Sequence, residues 1–210
     1  MSTATSLAVL SSRYDPVSFE AGLARANAEN KVIASNKRIS RALLGSDEWR
    51  AIQEVFVCWT GTMTAYTKPG EKLGKAVEYA DPETGYRWIF PVPEKHQGKT
   101  NAILVAEHPD YTLEISGKTR IVRATQVDLI ERFPAKNGWY LGDTHHDIPC
   151  GDEVAASDAT RYLLRTDIRV GPVARGRDSD GIDVGRQISL RTNPSGAFGM
   201  AVEVRAPRKS

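Results

Sequence analysis

Cysteine is scarce in this chain: only Cys58 and Cys150 occur in 210 residues, in neither a CxxC pair nor a dense pattern. That excludes a disulfide scaffold and fits a reducing compartment or a pair of buried thiols. Long apolar runs are missing as well, so no membrane span is expected. Met1 to Arg13 lacks a basic start followed by a long apolar core and makes a poor signal peptide. A soluble, cytoplasmic protein is the expectation. Net charge is only +2, too small to imply nucleic acid. Internal repeats and low-complexity segments are absent too.

What is present can fold. With 40% hydrophobic and 26% charged residues, the chain can bury a sizeable core. Its length predicts one domain over 15–205, after a flexible lead-in at 1–14 and before a basic, solvated tail at 206–210.

In the first quarter the pattern is helical. Asp15-Pro16 offers a cap and a first helical position, and Phe19, Leu23 and Ala26 follow at helical spacing. A second short helix is expected from Lys37 to Leu44, and a third from Ser46, with Trp49, Ile52 and Phe56 on one face. From Val57 the character changes to strands. Trp59 to Tyr66 alternates and is rich in threonine, and turns are marked by Lys68-Pro69-Gly70 and Asp81 to Gly85. Tyr86 to Phe90 and Ala102 to Ala106 read as strands, and Tyr111–Ile115 and Arg120–Ala124 flank Ser116-Gly117-Lys118 as a hairpin. Val127 to Phe133 fits strand or helix, and Pro134 to Gly151 is loop-rich. Helices first and strands later predict an α+β domain.

No motif brings catalytic chemistry with it. Gly98-Lys99-Thr100 resembles the end of a phosphate-binding loop, but Pro93 stands where the first glycine is needed, and a strand pattern follows instead of a helix. His145-His146-Asp147 and Cys150 are metal-ligand types without a second ligand pair at zinc spacing, so an exposed polar loop is expected. His96 and His108 are isolated and are assigned ordinary polar roles. Asp178 to Asp183 lacks the third early acid and closing glutamate of a calcium hand. A solvated acidic turn neutralised by Arg175, Arg177 and Arg186 is the reading, with calcium as the alternative. No metal or cofactor is assigned, and no nucleophile motif is present.

The stretch around which the chain is organised lies near its end. Gly176 to Phe198 is dominated by small, turn-forming and polar residues, with Gly at 176, 181, 185 and 196 and Pro194. Apolar, strand-like segments flank it, at Tyr162 to Leu164 and at Phe198, Met200, Val202 and Val204. A polar, glycine-rich surface between two buried strands predicts a displayed binding region over 162–205.

This placement, with the closing Phe198-Gly199-Met200-Ala201-Val202-Glu203, resembles the variable region of the variable proteins of diversity-generating retroelements. Ala197 stands where such endings carry a glycine. The resemblance implies a C-type lectin-like domain with a helix-rich N-terminal part and short antiparallel strands, in which Trp88, Trp139 and Tyr140 anchor long loops. It also implies adenine-directed mutagenesis, whose asparagine codons cannot yield Lys, Glu, Met, Trp or Gln. Between Gly176 and Phe198 the first four are absent, and Gln187 is the exception, hence an unmutated position.

The resemblance further implies a non-enzymatic binder of an unknown protein ligand, with Arg177, Ser179, Asp180, Ile182, Arg186, Ile188, Leu190, Ser195 and Ala197 as displayed side chains. Gly181, Gly185, Pro194 and Gly196 would fix the backbone. Alternation at Ile188 and Leu190, with Ile182, fits a buried strand equally well. Two other classes stay open: an enzyme resembling formylglycine-generating proteins, which needs a reactive cysteine pair or a metal, and a structural, phage-associated module.

Overall fold

The computed structural model describes residues 12–14, 18–39, 57–67, 70–81 and 85–131, and beyond these the backbone of the strands within 153–204. The chain is mixed α+β and strand-rich, with two sheets and one helix of several turns among the described residues.

Helix α1 (Phe19–Ala28) packs Phe19, Gly22, Leu23 and Ala26 inward, the spacing that the sequence implies. Its cap is Ser18, whose hydroxyl accepts the Ala21 N–H at 3.3 Å. The expected start at Asp15-Pro16 therefore gives way to a later one, and the side-chain oxygen meets the third N–H of the first turn. Asn30, at φ 52, turns the chain out of the helix, a conformation that asparagine tolerates.

Strand β1 (Ser12–Tyr14) precedes α1 and β2 (Lys31–Ile33) follows it, so two strands frame the helix-rich start that the sequence suggests. Residues 12–14, read as the end of a lead-in, pair with the sheet, and Tyr14 is buried. A helical turn occupies 36–39, where the second helix is expected. The third helix, expected from Ser46 to Phe56, lies outside the described residues, as do Pro134 to Gly151.

The larger sheet is built on β3 (Val57–Tyr66). One of its edges pairs antiparallel with β12 (Val170–Arg177). The other is shared in succession. Its first residues pair in parallel with β14 (Phe198–Val204), and Thr62 to Tyr66 pair antiparallel with β6 (Ala102–Glu107). Between these two partners the Gly61 N–H donates to the Ala34 carbonyl, and the Gly61 carbonyl accepts from the His108 N–H, both at 2.8 Å. Outward from β12 come β13 (Asp183–Gln187), β11 (Thr160–Leu163) and β10 (Glu153–Ser157). β1 and β2 lie against β14, and β9 (Asp128–Glu131) against β6, which settles the segment beginning at Val127 as a strand.

The smaller sheet has the order β4 (Ala76–Ala80), β5 (Tyr86–Pro91), β8 (Thr119–Ala124), β7 (Tyr111–Ser116). The expected hairpin is β7–β8, closed between Ser116 and Thr119 with Gly117 at φ 58 in the first turn position. Positive φ there is what a two-residue hairpin turn demands of its first residue. Gly98 is followed by β6, so the phosphate-loop lookalike opens no helix.

The main core lies between the sheets and α1. Trp59, Met63 and Ala65 of β3 and Ala102, Leu104 and Ala106 of β6 cluster with Trp88 and Phe90 of β5, Val122 of β8, and Phe19 and Leu23 of α1. Phe19 meets Trp59 edge-on at 5.7 Å between ring centroids. Each fully buried side chain of this size contributes about 1.5–3 kcal/mol. The opposite row of β3 is polar yet equally buried: Thr60, Thr62 and Thr64 are all at 0% exposure. The Thr62 hydroxyl accepts the Asn36 N–H at 2.9 Å, and the Thr60 hydroxyl accepts the Thr62 N–H at 3.2 Å.

Gly61 is where this packing is tightest. A Cβ there would run into the Ile33 carbonyl oxygen and lie 3.3 Å from the His108 Cβ, whereas one at Gly74 would meet open space. Gly61→Ala is expected to cost about 1–3 kcal/mol and Gly74→Ala less than about 0.5 kcal/mol in denaturant unfolding. Equal costs at the two positions would contradict this packing.

Candidate functional site

The C-terminal stretch threads the middle of the larger sheet. Arg175 on β12 and Gly199 on β14 both pair with Cys58, from opposite edges of β3, and Ala174 and Met200 likewise flank Trp59. β12 and β14 thus bracket β3 at one level, and β13 lies between them in sequence.

Within that span the predicted site residues divide. Arg177 is the last residue of β12, directly opposite Asp183. Arg186 lies within β13, opposite Ala174 on one side and Leu163 on the other. The segment dominated by turn-forming residues therefore contains a strand, since Asp183 to Gln187 hydrogen-bond through the backbone to β12 and β11. Arg177 and Arg186 sit on adjacent strands but at separate levels of the ladder. Ser179, Asp180, Ile182, Ile188, Leu190, Ser195 and Ala197 lie outside the described residues, as do His145, His146, Asp147 and Cys150. Asp183 of the calcium-loop lookalike is a strand residue, in register with Arg177 and Thr160.

Beside β14 stands a polar cluster that the sequence did not single out. Tyr14 is opposite Met200, and Lys31 opposite Val204. Glu29, just after α1, receives the Tyr14 hydroxyl at 2.8 Å, Arg25 Nε at 2.7 Å and Lys31 Nζ at 2.8 Å. The Arg25 guanidinium lies 4.0 Å from the Tyr14 ring centroid. Hydrogen bonds from Arg25, then Lys31 and Tyr14, lower the Glu29 pKa to about 2. Burial, reinforced by the Glu29 carboxylate, pushes the Tyr14 phenol up to about 12. A carboxylate so fully engaged is no general base; it ties α1 and β2 to the strand pair β1–β14. The i, i+4 spacing of Arg25 and Glu29 was the one visible signal for it.

A second tie joins α1 to the smaller sheet. Glu20 accepts from the Tyr86 hydroxyl and the Arg120 guanidinium, while Tyr86 stacks on Trp88 at 5.4 Å. Burial, and then Glu20, hold the Tyr86 phenol above its usual range. His108 is a structural histidine. Its Nδ1 accepts the Ile33 N–H at 3.1 Å, so Nε2 carries the proton and donates to Asn27 Oδ1 at 3.2 Å. His96 belongs to a short 3₁₀ turn at Glu94–His96, where burial, then Lys99 and Lys95, lower its pKa.

No group of three metal-ligating side chains occurs among the described residues. A shallow depression of about 420 Å³, lined by Pro91, Val92, Pro93, Thr125, Gln126 and Val127, holds no acid, base or thiol. The Cys58 thiol is buried and donates to the Trp59 carbonyl at 3.5 Å. No helix among the described residues is long and apolar enough to cross a membrane. Comparison with protein-family models, curated proteins and solved structures yields no match for the chain.

The Tyr14–Glu29 cluster sets opposite pH limbs. Glu29 has a folded pKa below its ordinary 4.5, so its contribution is present above that value and is lost as pH falls toward about 2. Tyr14 has a folded pKa above 10, so its contribution is lost as pH rises from 10 to about 12. Melting temperature against pH is expected to flatten on the acid limb in Glu29→Gln and on the alkaline limb in Tyr14→Phe. Unchanged limbs would show that the cluster is not formed in solution.

Proposed function

We propose that the chain is a non-enzymatic ligand-binding protein with a C-type lectin-like fold. It displays a diversified C-terminal surface of the retroelement variable-protein kind, acting in the cytoplasm on a protein target. The observation that carries this reading is the bracketing of β3. β12 and β14 pair with the same residues, Cys58 and Trp59, from opposite edges, so residues 178–197 are held at both ends by backbone hydrogen bonds.

A surface that tolerates wholesale substitution needs a backbone whose position does not depend on its own side chains. Ladder hydrogen bonds meet that requirement, because they use main-chain groups alone. β13 meets it too: Arg186 can be exchanged while the N–H and C=O groups of Asp183 to Gln187 keep their partners in β11 and β12. Arginines at 177 and 186 suit a protein target, since arginine is enriched where interfaces concentrate their energy.

The test is the DNA flanking the gene. A near-copy of the segment encoding Arg161 to Glu203, differing only at adenines and accompanied by a reverse-transcriptase gene, is the expected finding. A locus with neither would overturn the reading.

A further inference from the structure

Lysines gather at one end of the smaller sheet, where two loops meet. Residues 70–75 lead into β4, and residues 92–101 connect β5 to β6. Ala76 pairs with Pro91, so both loops open from the same end of the β4–β5 pair. Each carries Glu-Lys and then Gly-Lys: Glu71-Lys72 and Gly74-Lys75 in the first, Glu94-Lys95 and Gly98-Lys99 in the second. Main-chain hydrogen bonds lock the two together. The Leu73 N–H donates to the Lys99 carbonyl, the Gly98 N–H to the Leu73 carbonyl and the Val92 N–H to the Lys75 carbonyl, each at 2.8 Å. Leu73 is buried beneath them, whereas Lys72, Lys75, Lys95 and Lys99 are all exposed.

These four cations lack what the arginines nearby possess. Arg87, Arg120 and Arg123 each face a carboxylate, but none of the four lysines has one among the described residues. Glu71 and Glu94 are the only acids in the two loops. The field of the second loop is felt at His96, whose pKa is lowered by burial and then by Lys99 and Lys95. Like charges held together without counter-charge repel one another and oppose compactness. Beside them lies the shallow depression, whose apolar lining comes from Pro91, Val92, Pro93 and Val127. Three of those residues are the stretch that runs from β5 into the lysine-bearing turn.

We propose that the two loops and the depression form a docking surface for an acidic peptide segment of another protein. Its carboxylates meet Lys72, Lys75, Lys95 and Lys99, and an apolar side chain next to them enters the depression. Charge complementarity requires an anionic partner, and the composition of the surface chooses between kinds of anion. Neither loop has an arginine, the residue best shaped for two-pronged contact with phosphate. Neither has a Phe, Tyr or Trp on which bases could stack. Ammonium groups around an apolar floor match a peptide that carries carboxylates beside an aliphatic residue. None of the nine predicted display residues takes part, so this surface is independent of the C-terminal one.

Fluorescence anisotropy on the intact chain tests this, with a labelled decapeptide of glutamates bearing one central leucine as the probe. Binding is expected at low salt and is expected to weaken as salt rises, because exposed charges are screened beyond about 10 Å at 0.1 M. Lys95→Gln combined with Lys99→Gln is expected to weaken it about tenfold, the loss of two exposed ion pairs. The melting temperature of that variant is expected to be no lower than the parent's. Should it fail to fold, Lys72→Gln combined with Lys75→Gln reads the same loss. Glycine in place of the leucine of the probe is expected to weaken binding about fivefold, through the apolar area no longer buried. Absence of binding, binding indifferent to the lysines or to the leucine, or tighter binding of a thymidine decanucleotide than of the peptide would overturn the proposal.

Discussion

The structure depends on one strand that is hydrogen-bonded along both edges and buried on both faces. β3 has β12 along one side, and β14, the Ala34 carbonyl and β6 in succession along the other. Trp59 and Met63 face the core shared with α1 and the smaller sheet, and Thr60, Thr62 and Thr64 fill the other face at 0% exposure. A strand with no solvent face must have every backbone and hydroxyl group satisfied within the protein, because an unpaired buried donor costs about 1–3 kcal/mol. Gly61 exists for this reason: only a residue without Cβ lets Ile33 and His108 approach the same point of β3.

The partners of β3 come from widely separated parts of the chain. β6 is close in sequence, but β12 and β14 lie more than a hundred residues downstream; β1 and β2 upstream pair with β14, while α1 reaches β3 directly through Phe19 and Trp59. The C-terminal stretch is thus part of the scaffold at its strands and a candidate display at its connections. Glu29 and Glu20 fasten the helix to the two sheets by charge and aromatic contact, and the carboxylates are consumed in that role.

Local patterns were the legible part of the sequence. Phe19, Leu23 and Ala26 gave the inward face of α1, the continuous apolar run gave β6, and Ser116-Gly117-Lys118 gave the β7–β8 hairpin. Apolar alternation from Phe198 to Val204 likewise marked β14. The threonine row of β3 was visible as alternation, but that it is buried is something alternation alone cannot reveal. β12 was hidden by its own composition: Gly171, Pro172 and Gly176 argue against a central strand. The register shift between Pro172 and Ala174 accommodates the proline there. β13 was read as turn because Gly185 and short polar residues carry no periodicity. Its strand geometry comes from β11 and β12, partners that no local window contains. Of the nine predicted display residues, the ladder places Arg177 and Arg186 on adjacent strands.

Amide hydrogen exchange on the intact chain tests the central role of β3 most directly. If β12 and β14 close both edges of this strand, amides from Cys58 to Ala65 exchange only through global unfolding, while those at Gly117 and Lys118 in the hairpin turn exchange freely. Exchange in β3 as fast as in that turn would contradict the account.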